Sequence, residues 1–338
     1  MTQRLHGRTE LPLIRSALLR GNPPSDPTER EVLVHLPAGY DEADARRYPV
    51  VFVLPAYGAS HRSLLTFKLW ERNVFQIHEE LVRRGESREA ILVVPDACNR
   101  YGGSQFLDSA ATGEYQSFLV DEVVPFVDSL YRTIPKREAR AVVGRSSGGF
   151  GALRLGIDRP EAFAAIGSHA GDSLFAATLR PAFTQTAITL DRAGGVAAFL
   201  DKVEKVGPAS AAEHEALSMI AYAVAYAPRM DATFPHAGLP FDLATALPVP
   251  EIWKRWRAQD PVALLERFPD ALVRAELVYL DAGDRDEHGL QLGARRMAAL
   301  LGERGARVHH EEFAGGHRGT TDRFAVSLPR LTAVLSTS

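Results

Sequence analysis

The sequence predicts an α/β fold: a mostly parallel sheet flanked by helices, with an inserted helical cap. Three observations carry this. The runs at 50–54 and 90–95 are continuously apolar, as strands buried on both faces of a parallel sheet must be. Helical patterns alternate with such runs, the order a parallel sheet requires. After Asp172 the alternation stops, and it resumes near Ala275. The chain therefore divides into a core, 1–172 with 270–338, and an inserted cap or lid, 173–269.

Taken in order, residues 31–36 set Val32, Val34 and Leu36 against Leu33 and His35 and read as a strand, after the loop Gly21-Asn22-Pro23-Pro24. The run 50–54 is a second strand, followed by a small-residue turn at 55–60 and a helical pattern over 64–84. Strand 90–95 leads into a polar loop, 96–113. Thr112 is placed to cap a helix carrying Phe118, Leu119, Val123, Val124 and Val127. Ala141-Val142-Val143 is the next strand, and 162–167 another. The cap is helical and loop-like, with the proline-rich piece Leu247-Pro248-Val249-Pro250. The closing segments are strand 275–280, helix 289–304, strand 306–313 and a last helix through Phe324, Leu328 and Leu331.

Bulk properties narrow the function. The chain has 338 residues, 46% of them hydrophobic, enough for one large core with an insertion. The net charge of −3 offers no basic excess for nucleic acid. Cys98 is the only cysteine, which rules out an intrachain disulfide and a cysteine-based zinc site. His309-His310-Glu311-Glu312 lacks the helical setting of a zinc protease motif, so no metal and no cofactor is expected. Charged residues punctuate positions 1–20, with no apolar stretch for a signal peptide or membrane span. The expectation is a soluble cytoplasmic protein with a small-molecule partner, neither nucleic acid nor membrane, and with homo-oligomerisation open.

The chemistry centres on Gly144-Arg145-Ser146-Ser147-Gly148. It matches G-x-S-x-G and lies between an apolar strand and a helix. In that context the motif is a nucleophile elbow, a strained turn that exposes the serine above a helix N-terminus. A loop that merely turns the chain is the alternative, so the rest of the site decides. His317 follows the last strand in Gly315-Gly316-His317, where the base of an α/β-hydrolase belongs, since the chain order is Ser, acid, His. The acid follows strand 275–280, where the loop offers Asp281, Asp284, Asp286 and Glu287. Asp286 lies far enough along to reach back to His317. Asp284 ranks second, and Asp172 is a further alternative. Oxyanion donors are expected from the backbone amides of Ser147 and Tyr57. Gln105, His169, Trp253 and Trp256 are candidate substrate contacts. For the two tryptophans, packing of the cap is an equal alternative.

These segments resemble the esterase D, or "Putative esterase", family of α/β-hydrolases. That family includes enterochelin esterases, feruloyl esterases, S-formylglutathione hydrolases and mycolyltransferases. The resemblance runs through Leu36-Pro37-Ala38-Gly39-Tyr40-Asp41, Gly103-Ser104-Gln105, the elbow, Gly283-Asp284-Arg285-Asp286 and Gly315-Gly316-His317. It implies Ser146, Asp286 and His317 as nucleophile, acid and base. Its Gly-x-x-Asp pattern favours Asp286 over Asp284. Two positions depart from it. Pro55-Ala56 stands where relatives carry His-Gly, and Ser147 where methionine is common.

The function expected is a serine carboxylesterase acting on a small or medium acyl ester through an acyl-enzyme. An acyltransferase with the same triad is one alternative, and a catalytically silent binding protein on this fold is another.

Overall fold

In the central strands, alternate residues point into two different hydrophobic clusters. Val50, Phe52 and Leu54 enter one, while Val51 and Val53 enter the other. Ile91 and Val93 part from Leu92 and Val94 in the same way. Period-two alternation sends every strand residue into one apolar layer or the other, which is why these strands are unbroken apolar runs in sequence.

The computed structural model describes residues 4–42, 45–231 and 235–338. Its main sheet has nine strands: β1 (Arg8–Glu10), β2 (Leu13–Arg15), β3 (Glu29–Leu36), β4 (Val50–Leu54), β5 (Ile91–Pro95), β6 (Arg140–Arg145), β7 (Ala165–His169), β8 (Leu277–Gly283) and β9 (Val308–Phe313). The order across the sheet is β1-β3-β5-β4-β6-β7-β8-β9, with β2 paired to β3. From β5 to β9 every pairing is parallel, and β3 runs antiparallel to β5. The carboxyl ends of β4, β6, β7, β8 and β9 therefore lie along one edge.

On one face pack a helix over 115–130 (α2), helix Ser147–Asp158 (α3) and helix Leu290–Glu303 (α5). On the other lie α1 (Val74–Arg83) and α6 (Phe324–Val334). Between β7 and β8 the chain forms several helices, the longest being α4 (Ala211–Tyr226). Phe175, Phe183, Tyr222, Tyr226 and Trp256 from this stretch make a separate aromatic cluster. Its last helix, Pro261–Arg267, instead inserts Val262 and Leu265 into the main core.

Local boundaries depart from the sequence pattern in instructive ways. The helical pattern over 64–84 splits. A short 3-10 turn, His61–Leu65, is capped by Ser60, and α1 begins only at Val74. Asn73 and Gln76 form a reciprocal capping box there, each side chain accepting the other's backbone N–H at 2.9 Å. Thr112 does not cap α2. It sits in the turn of a small hairpin, Asp108–Ser109 with Gly113–Glu114, and the Asp108 carboxylate takes the Ser117 amide instead. The middle of α2, Phe118–Val123, is π-helical.

Candidate active site

Ser146 sits at the end of β6 with φ +57° and ψ −123°, a conformation that L-residues avoid. Its amide donates to the His169 carbonyl at 2.8 Å and its carbonyl accepts from Phe150 N, so both neighbouring strand and helix fix the turn. Two glycines make the turn feasible. A Cβ on Gly148 would collide with the Leu54 carbonyl oxygen, and one on Gly144 with the Gly148 backbone. The strained serine thus lies against the loop that leaves β4.

The chain brings three distant residues together at this point. Ser146 Oγ is 3.0 Å from His317 Nε2, and His317 Nδ1 is 2.8 Å from Asp286 Oδ2. Asp286 is buried, and its second oxygen accepts the His288 amide at 2.9 Å. Burial pushes the Asp286 carboxyl up, but the hydrogen bond and charge of His317 outweigh it and hold the group below its ordinary value. The loop that carries His317 has its own anchors. The His317 amide donates to Glu287 Oε2 at 2.7 Å, and the Gly315 amide to Asp284 Oδ1 at 3.0 Å.

The four candidate acids therefore separate cleanly, Asp281 within β8 itself and the other three in the loop that follows it. Asp286 meets the imidazole, while Asp284 and Glu287 peg the loop backbone. Asp281 is turned the other way, accepting from Tyr279 Oη and Arg323 Nε and pairing with His169 Nδ1.

That pairing corrects one expectation. His169 does not line a substrate pocket. Its strand runs two residues beyond the apolar pattern, so its ring enters the layer under the sheet, between Asp281 and Ser327 Oγ at 2.9 Å. Trp256 is likewise fully buried, 5.2 Å from the Tyr226 ring and nearly perpendicular to it. Trp253 packs edge-on to Phe183. Of the two alternatives for the tryptophans, packing among the helices is the one observed.

Gln105 does reach the elbow. It is fully buried at φ +55°, and its Oε1 accepts from Ser147 Oγ at 2.9 Å. Its Nε2 is buried without a partner among the described residues. The Tyr57 amide makes no hydrogen bond among the described residues, whereas its neighbour Gly58 N bonds to Gly102 O at 2.9 Å. The Tyr57 hydroxyl donates to Tyr101 O at 2.7 Å, and its ring packs against His214 and Tyr222 of α4. The loop's side chain is thus pinned while the amide stays open.

Three more residues border the site: Asp172, the further alternative for the acid, and His288 and Tyr222, which carry no obvious sequence signal. His288 stacks edge-to-face on His317 with centroids 5.0 Å apart. It follows Asp286 by two residues, and that closeness is the only hint. Asp172 is buried near His317, with the Tyr222 hydroxyl close to its carboxylate. Burial pushes its carboxyl up to about 6, against the charge of His317. Tyr222 sits on a helix that is apolar on most sides, so its spacing does not single it out. Among the described residues no cluster of His, Cys, Asp or Glu is arranged to hold a metal. No described helix is long and apolar enough to cross a membrane.

The sheet order and the elbow with its neighbouring loops define an α/β-hydrolase. The model of one family of that class, described as "Putative esterase", matches residues 25–333, and the chain belongs to that family. An esterase of Mycobacterium tuberculosis is 28% identical over 141 residues, which are 41% of this chain and 28% of that protein. An endo-1,4-beta-xylanase/feruloyl esterase of Xylanibacter ruminicola is 25% identical over 135 residues, 38% of this chain and 18% of that one. The matches thus span less than a third of the length of these curated relatives. Among solved structures, a ferulic acid esterase aligns with TM-score 0.63 at 18% identity, covering 98% of this chain and 100% of the other. An S-formylglutathione hydrolase from Agrobacterium tumefaciens aligns at 0.57 and 16% identity, covering 98% and 97%.

Proposed function

We propose that this chain is a serine carboxylesterase that cleaves a small or medium acyl ester. The observation that carries the reading is the continuous relay from Ser146 Oγ through His317 to Asp286, at 3.0 and 2.8 Å. Membership of an esterase family supports it. So do relatives named as esterases, without lending their substrates.

In the first half-reaction Ser146 Oγ bonds to the ester carbonyl carbon while its proton passes to His317 Nε2. Asp286 keeps Nδ1 protonated and stabilises the imidazolium. The carbonyl oxygen becomes an oxyanion facing the amides of Ser147 and Tyr57. The bond to the alcohol breaks as His317 returns its proton to the leaving oxygen. Water then repeats the sequence on the acyl-enzyme, giving up a proton to His317 and releasing the acid and free Ser146.

The test is a fluorophosphonate probe with mass mapping, alongside turnover of 4-nitrophenyl acetate and butyrate. The probe is expected on Ser146, and Ser146→Ala is expected to lose labelling and about 10⁴-fold or more in turnover. Hydrolysis that survives in a folded Ser146→Ala variant would overturn the serine mechanism.

A further inference from the structure

Beside the elbow, on the sheet face that carries α1 and α6, lies a cavity of about 190 Å3. Its floor is apolar, built by Val74 and Phe324. Arg145, the residue before the proposed nucleophile, faces into it. The guanidinium is half-buried, and burial draws it below its ordinary value. Its one hydrogen bond goes to Thr320 Oγ1 at 3.2 Å, and it forms no ion pair among the described residues. Four other arginines, buried or half-buried, behave differently. Arg30, Arg140, Arg154 and Arg323 each reach a carboxylate.

The remaining charges of the cavity are already matched. Lys68 is 2.6 Å from Glu71, and Arg72 is 2.6 Å from Glu80. Glu71 acts on Arg145 only at a distance. What stays open is one planar cation with unused N–H groups over an apolar floor. A guanidinium fork in that state complements a carboxylate, which it holds through two parallel bonds. The space equals about six water molecules at ~30 Å3 each, enough for a carboxylate with a short carbon chain.

The cavity also touches the catalytic frame. Arg145 is bonded to Ser146, and the lining residue Ala56 is bonded to Tyr57. Arg145 holds Thr320, three residues after His317.

We propose that this cavity binds a carboxylate, with Arg145 as its partner, supplied either by an acid end of the ester substrate or by a free organic acid. The substrate form rests on the carboxylesterase reading above, whereas the binding itself does not.

Two measurements on the full chain separate these cases. The first is calorimetric titration of succinate into the protein and into Arg145→Gln and Arg145→Lys. Saturable binding is expected, weakened about 10-fold or more by Gln and partly kept by Lys, which has the charge without the fork. The second compares kcat/KM for methyl hemiesters of C4–C8 dicarboxylic acids with their dimethyl diesters. It is repeated for acetylated hydroxy acids against acetylated neutral alcohols of equal length. A preference of about 10-fold for the anionic member, carried by KM and lost in Arg145→Gln, identifies a substrate site.

Arg145-dependent succinate binding without ester preference upholds the site as one for a free acid. The same binding in a protein inactive on every ester would sink the carboxylesterase reading and leave the cavity standing. No succinate binding and no anionic preference in the unmodified protein overturns the proposal, and that result needs no variant to fold.

Discussion

Glu287 holds His317 by its backbone while Asp286, the preceding residue, holds it by its ring. Two consecutive acids thus fix both the position of the loop and the orientation of the imidazole. Removing the first while keeping the second separates placement from orientation. Glu287→Ala is expected to lower kcat on the order of 10-fold with KM little changed, short of the 10²-fold that a full 1 Å misplacement costs. Steady-state kinetics on a 4-nitrophenyl ester, with circular dichroism as the folding control, checks it.

Asp286→Asn is expected to be far more damaging than Asp284→Asn, because only Asp286 touches the ring. An amide in that place presents the imidazole in the wrong tautomer, a change that costs about 10⁴-fold in a serine protease triad. Asp284→Asn still offers an oxygen to the Gly315 amide and should stay within about 10-fold of the parent, the scale of one modest hydrogen bond. The reverse ranking would reassign the acid.

Tyr57 tests the loop in which Pro55-Ala56 replaces the pair usual in relatives. Its open amide is a backbone group, so Tyr57→Ala keeps the donor and Tyr57→Pro removes it. Tyr57→Pro is expected to lose about 10²- to 10³-fold in kcat relative to Tyr57→Ala. Both variants lose the ring contacts to His214 and Tyr222, so comparing them with each other cancels that packing change. Equal rates in two folded proteins would place the donor elsewhere.

The network around Asp281 makes a prediction about stability. Burial pushes the Asp281 carboxyl up, but His169, Tyr279 and Arg323 outweigh it and hold the group below its ordinary value. Its folded pKa is therefore lower than its unfolded one. The stability it contributes is complete above the unfolded value near ~4 and fades as pH falls through the folded value. Asp281→Asn should destabilise by about 3 kcal/mol at pH 7, the lower end for breaking a buried pair. Urea unfolding at pH 7 and pH 3 should show the gap between variant and parent narrowing in acid. A gap that widened would contradict the sign.

Much of this architecture could be read from residues alone, for physical reasons. Residues 50–54 and 90–95 announce themselves because both strand faces meet apolar layers. The elbow is legible because glycine is the only residue that fits at 144 and 148. The misplaced details share one cause, a boundary shifted by a few residues. Strand β7 ends at His169 rather than Gly167, and those two residues turn an expected pocket histidine into an interior one. Leu64 and Leu65 continue the helical spacing of α1, but the capping box at Asn73 starts the helix a good two turns later. Trp253 and Trp256 were undecidable from spacing, since an aromatic pair on a helix suits a wall or a core equally. The cavity at Arg145 has no linear signal, because its lining comes from three separated stretches of the chain.

The order of strands has a consequence for how the molecule comes apart. The proposed nucleophile, oxyanion loop, acid and base hang from β6, β4, β8 and β9, all members of one continuous parallel ladder. Three of them hang from inner strands, and only the base follows an edge strand, β9. Backbone amides in the ladder beneath the site should be among the slowest to exchange with deuterium, opening only with the whole domain. Inactivation in denaturant should then come no later than loss of the sheet itself. Helices such as Val196–Val206, which lie outside that ladder, should exchange earlier without silencing the chemistry.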